Sequence, residues 1–204
     1  VMPIKVTVPS LISAMSAAKY TVFQNDSKPF NLNIVGIRAT NPVPNKFNDT
    51  LAVFWKYEGQ WNLFATQITT LPGDYWMKIP MNTKGCAILV PGQYRSVYKL
   101  DQHNGKYLAL CQRNGVVSVY RDNNKDVIWD TDPATITTGM YGINIHRASA
   151  YSELENVGMN SAGCQVVQDP NEYKTLIFLA EQAKEQWGNS FTYSLMDQKT
   201  LDET

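Results

Sequence analysis

The chain has two histidines and three cysteines, and one of each stands where nucleophilic chemistry is feasible. His146 closes Gly142-Ile143-Asn144-Ile145-His146, a short apolar run that reads as a strand. Eighteen residues after it comes Cys164, at the end of the small-residue turn Ser161-Ala162-Gly163 and just before Val166 and Val167. A thiol becomes a nucleophile when a neighbouring imidazole can take its proton. Cys164 is therefore the candidate nucleophile and His146 the candidate general base. Gly163 lets the backbone turn sharply there, and its N–H with that of Cys164 could face a developing oxyanion. Ser161 either hydrogen-bonds within the site or shapes the turn. The plain alternative for a free cysteine is a small buried hydrophobe. For His146 it is a satisfied core histidine at a strand end. Cys86, beside Ala87-Ile88-Leu89, and Cys111, ending an apolar run, read as core. His103 reads as a polar loop residue that at most lines a cleft.

The elements that must position these residues are mostly strands. The alternation of apolar residues predicts strands over 31–39, 50–57, 61–69, 87–90, 94–99, 107–112, 116–121, 127–129 and 191–196. Glu58-Gly59-Gln60, Leu71-Pro72-Gly73-Asp74, Pro91-Gly92 and Asn114-Gly115 punctuate them as turns. One long helix is predicted over 170–187, with Asp169 as its cap and Pro170 in its first turn. Tyr173, Leu176, Ile177, Ala180, Ala183 and Trp187 share one of its faces. A shorter helix is predicted over 10–20. The fold class is α+β, predominantly β, a sandwich with a C-terminal helix. Residues 1–30 read as an N-terminal extension, 31–196 as the main domain and 197–204 as a loose tail.

Composition narrows the function. At 204 residues the chain suits one domain. Its 18 basic and 18 acidic residues cancel, so no basic footprint for nucleic acid is present. Asp126, Asp130, Asp132, Glu153 and Glu155 show no spacing that demands metal or paired-carboxylate chemistry. With two histidines and no CxxC pair, neither a structural zinc site nor another cofactor is expected. A single Cys86–Cys111 bridge is compatible with the odd cysteine count but not implied by it. No secretory leader is read at the start, and no apolar run is long enough to span a bilayer. A soluble protein without membrane insertion is expected. Tyr94, Tyr98, Tyr107 and Tyr120 either pack a sheet or flank a groove for a glycan or peptide.

The stretch from His146 to Cys164 resembles the active-site motif of the YkuD-type L,D-transpeptidases. In that family a histidine at a strand end is followed, after a loop, by Ser/Thr-His-Gly-Cys. This chain matches at His146, Ser161, Gly163 and Cys164. It departs at Ala162, where the family has a second histidine, and at Gln165-Val166, where it has an apolar residue and then Arg or Asn. The wider wording is similar to a divergent branch associated with bacteriophages and prophages. The matching pieces are Phe47-Asn48-Asp49, 69–73, 87–94, 142–147 and 161–167, and the likeness spans about residues 20–196.

The resemblance implies an L,D-transpeptidase-like fold and a cysteine enzyme acting on peptidoglycan stem peptides through a Cys164 acyl-enzyme. It implies that the main-chain carbonyl of Arg147 orients His146. The Arg147 side chain, new at this place, would either meet a substrate carboxylate or stay solvated at the rim. The phage-like wording favours hydrolysis over cross-linking. It also implies synthesis in a host cytoplasm and action on the bacterial wall, reached through lysis or a virion. A catalytically silent wall-binding or virion module, and a general cysteine peptidase, are the other classes the sequence allows.

Overall fold

The computed structural model describes residues 3–204; Val1 and Met2 of the expected extension lie outside the described residues. The chain begins with α1 (Val8–Ala17), held at its start by a reciprocal cap in which Thr7 and Ser10 bond each other's backbone N–H. Strands β1 (Asn33–Arg38), β2 (Asp49–Tyr57) and β3 (Gln60–Thr69) follow, the last two as a hairpin. A short helix α2 (Asp74–Lys78) precedes β4 (Cys86–Leu89), β5 (Gly92–His103), β6 (Tyr107–Gln112) and β7 (Val117–Asp122). Then come β8 (Thr137–Gly139), β9 (Ile145–Arg147), β10 (Gln165–Val167), α3 (Pro170–Trp187), β11 (Phe191–Asp197) and α4 (Gln198–Asp202).

Eight strands pair around a closed ring in the order β1-β11-β5-β6-β9-β10-β3-β2, and β4, β7 and β8 form a separate three-stranded sheet. Alternation along the strands divides the core. Ile34, Leu51, Val53, Tyr193 and Leu195 belong to the main core, which α3 also covers. Their neighbours Val35, Ile37, Ala52, Phe54 and Met196 point the other way and pack under Leu11 and Met15 of α1 and Leu201 of α4. The predominantly β architecture with a long helix near the C-terminus agrees with the sequence reading. Closure of the ring goes beyond that reading.

Two local expectations are corrected. Residues 127–129 are not a strand. Their backbone is held by carboxylates instead, Asp126 accepting from the Ile128 N–H and Asp122 from the Asp130 N–H. The tail is not loose, because Leu201 of α4 is buried in the cluster beneath α1. Helix α3 starts where Asp169 accepts from the Asn171 and Glu172 N–H groups, and ends at Gly188, whose φ of +93° suits glycine.

Candidate active site

Two short parallel strands build the site. β9 and β10 pair with Val166 opposite His146 and Gln165 opposite Ile145. Ile145 and Val167 face the main core, while Val166 packs on the opposite face with Phe47, Val157 and part of Cys164. Because side chains alternate, His146 faces away from the main core, as its partner Val166 does, and Cys164 packs in part beside Val166. The Cys164 thiol accepts from the Asn144 N–H at 3.4 Å and donates to the Gly142 carbonyl at 3.4 Å. Cys164 is half-buried. Cys86 and Cys111 are buried, and all three thiols are free, so no Cys86–Cys111 bridge forms.

His146 is 6% exposed. Its Nδ1 lies 2.8 Å from the Arg147 carbonyl oxygen, which can only accept, so Nδ1 carries the proton and Nε2 keeps its lone pair. This is the contact that the resemblance implies. The Tyr107 hydroxyl sits 3.4 Å from the same carbonyl and 3.3 Å from Nδ1. The Arg147 guanidinium lies over the Tyr107 ring at 4.0 Å. Arg147 is thus packed on the rim of the site rather than freely solvated.

Sequence reasoning gave His103 a polar loop and at most a cleft wall; it ends β5 instead. Its ring stacks on His146 with centroids 4.1 Å apart. Its Nδ1 lies 3.0 Å from the Asn144 side-chain amide. The signal was the β5–β6 hairpin, which pairs His103 with Tyr107 and carries both to the end of β9. Separate runs in a sequence do not show that convergence.

The turn before Cys164 is fixed by Ser161, whose hydroxyl donates to the Cys164 carbonyl at 2.7 Å and accepts from the Gly163 N–H at 3.1 Å. Ser161 therefore shapes the turn. Gly163 serves conformation, since its N–H is already bonded and is not free for an oxyanion. Its φ is +134°, and a Cβ there would meet the Ala87 carbonyl oxygen at 2.8 Å. Two tyrosines hold the strands from behind. Tyr98 donates to the Ile143 carbonyl and Tyr193 to the Gln165 side chain, each at 2.7 Å. Gln165, where the family has an apolar residue, is thus a satisfied core amide.

Burial pulls the His146 pKa down to about 4, with the nearby His103 adding to the effect and the Arg147 carbonyl opposing it. Burial likewise pushes the Cys164 thiol up to about 11, offset in part by the Asn144 N–H. At neutral pH the pair rests as thiol and neutral imidazole, not as an ion pair. Among the described residues no three His, Cys, Asp or Glu side chains gather as a metal site, and no helix is long and apolar enough to cross a membrane.

A hollow of about 660 Å³ lies elsewhere, among Arg38, Leu71, Tyr120 and Trp129, and none of the five candidate residues lines it. A smaller one of about 220 Å³ touches the site through Ile143 and Ala162. No protein-family model matches the chain, and neither a curated protein nor a solved structure matches it.

Proposed function

We propose that the chain is a peptidoglycan-active cysteine enzyme of L,D-transpeptidase type that cleaves L,D bonds of stem peptides. The observation that carries the reading is the β9–β10 register. It pairs Val166, two residues after Cys164, with His146, and His146 Nε2 is left as the free acceptor by the Arg147 carbonyl. In the reaction His146 takes the thiol proton as Cys164 sulfur bonds to the carbonyl carbon of the L-centre residue. The C–N bond then breaks, and His146 returns the proton to the leaving amine. Water, activated by the same imidazole, hydrolyses the thioester and restores the thiol. The Cys164 N–H is the oxyanion donor in this scheme. Hydrolysis is favoured over transfer to a second stem peptide because the likeness is to phage proteins, for which opening a wall is the useful outcome. Action on the wall after release from a host cell, or from a virion, belongs to the same proposal.

The test is mass spectrometry of purified sacculi and tetrapeptide muropeptides after incubation with wild type and with Cys164→Ala. Loss of a terminal D-alanine, or a cut at an L,D cross-link, with wild type alone is the expected result. New 3–3 dimers would make the chain a transpeptidase.

A second reading has an observation of its own. The Cys164 thiol donates to the Gly142 carbonyl and not to His146, which suits a wall-binding or virion module that does not turn over. In that case sacculi bind wild type and Cys164→Ala equally and neither protein releases peptide.

A further inference from the structure

β1 and β11 end side by side, with Arg38 opposite Asp197, and both residues line the hollow of about 660 Å³. Leu71, Tyr120, Trp129 and Lys199 line it too. Arg38 is 7% exposed. Its Nε donates to the Thr70 hydroxyl at 2.8 Å and its Nη2 to the Thr70 carbonyl at 3.0 Å. The same hydroxyl donates to buried Asp49 at 2.7 Å. The Trp129 indole N–H donates to the Pro72 carbonyl at 3.2 Å, which pins one edge of its ring. Among the described residues, Arg38 Nη1, the Tyr120 hydroxyl and the Asp197 carboxylate bond no other group of the chain.

These walls select by exclusion. An anion would meet the Asp197 carboxylate, and Arg38 already has Asp49 beyond Thr70 to answer its charge. A cation would meet Arg38 and Lys199. An apolar ligand would strip water from three free polar groups and return no hydrogen bond. An extended peptide draws on main-chain partners, and the Ala39 and Thr40 N–H groups at this wall are already bonded to Asp49 and Gln198. An uncharged polyhydroxyl ligand suits every wall. Sugar hydroxyls donate and accept, so they satisfy guanidinium, phenol and carboxylate alike. The C–H face of a sugar ring covers the face of an aromatic one. The volume is usual for a small-ligand site.

We infer that this hollow is a saccharide site, which binds an uncharged oligosaccharide through Arg38, Tyr120, Trp129 and Asp197. It is separate from Cys164 and His146 and does not depend on the stem-peptide reading. One turn ties the two places together. Thr70 holds Arg38, Pro72 holds Trp129, and the Gly73 N–H donates to the Ser161 carbonyl at 2.9 Å. A glycan in the hollow therefore shares its support with the turn that carries Cys164.

The test follows the Trp129 indole N–H by NMR, its peak assigned by loss in Trp129→Phe. The additions are chitotetraose, cellotetraose and the acidic tetramer of galacturonic acid, and calorimetry gives the affinities. At least one neutral tetramer is expected to shift that peak saturably. Binding of the N-acetylated tetramer alone would indicate a wall-type strand, and binding of cellotetraose a plain glucan. Trp129→Ala should weaken binding about tenfold, and Tyr120→Phe and Asp197→Ala about threefold each. No saturable shift with either neutral tetramer, tighter binding of the acidic one, or unchanged affinity in both Tyr120→Phe and Asp197→Ala would overturn the inference. If a thermal melt shows that Trp129→Ala does not fold, those two variants decide. Cys164→Ala should bind as wild type does. Muropeptide cleavage without sugar binding would sink the site and leave the catalytic proposal standing; sugar binding without cleavage would do the reverse.

Discussion

Burial keeps the Cys164 proton on sulfur at neutral pH, with the thiol pushed up to about 11. The thiolate fraction, and with it the rate of alkylation by iodoacetamide, should climb about tenfold per pH unit through the alkaline range. A rate already level near neutral pH would mean a thiolate–imidazolium pair and would contradict the neutral site. His146 makes a second prediction. Its pKa falls from 6.5 in the unfolded chain to about 4 in the folded one, so the unfolded state takes up the proton first as pH drops. Its contribution to stability is complete above about 6.5, shrinks as pH falls, and is fully lost below about 4, a total of about 3 kcal/mol. Replacing His146 with Gln should flatten that slope in denaturant titrations. Burial lowers the His103 pKa too, with the same sign, so part of the slope should remain in the variant. His103→Ala should raise the His146 pKa, because the neighbouring imidazole is one cause of its depression; NMR titration of the ring protons reads this directly.

The turn carrying Gly163 passes so close to β4 that a Cβ would lie 2.8 Å from the Ala87 carbonyl oxygen, in a region of φ that side chains avoid. Gly163→Ala should therefore cost about 1–3 kcal/mol. Turnover should fall more than stability alone explains, which parallel melts and activity assays would separate. β11 supports β10 from the core side through the Tyr193 hydroxyl on Gln165, both fully buried. Tyr193→Phe leaves that amide oxygen without its donor, at a cost of about 1–3 kcal/mol. A variant as stable as wild type in urea would show that the clamp is not needed.

Across the whole molecule, the extension and the tail are part of the second core rather than attachments. Leu11 is fully buried against strands of the ring, in the same cluster as Leu201. Leu11→Ala should cost about 2–5 kcal/mol and lower a single unfolding transition. A separate early transition for the N-terminal segment would argue against a shared core. Arg38 and Asp49 form another long-range tie: both are buried and both bond Thr70, at the end of β3. Burial lowers the Arg38 pKa and raises that of Asp49, the expected response of charges withdrawn from water.

Local chemistry made much of this chain legible. The Asp169 cap, Pro170 and the 3.6-residue periodicity marked both ends of α3, because each signal acts within a few residues. Apolar alternation marked β6 and most other long strands for the same reason. The turn Ser161-Ala162-Gly163 pointed to Cys164, since a cysteine after a small-residue turn is a local pattern. The three-residue strands β8 and β10 are too short for periodicity to show, and β9 was legible only as the apolar run ending at His146. Residues 127–129 mimicked a strand because their apolar side chains hide the carboxylates that hold the backbone. Only the tertiary structure brought His103 onto His146, Tyr107 onto the Arg147 carbonyl, and Tyr120 to the hollow beside Arg38. Those meetings depend on strand pairing across long stretches of chain, and pairing is decided by which faces can be buried together. Residue identities therefore specified the candidate groups, Cys164 and His146, while burial in the assembled ring set the proton on each.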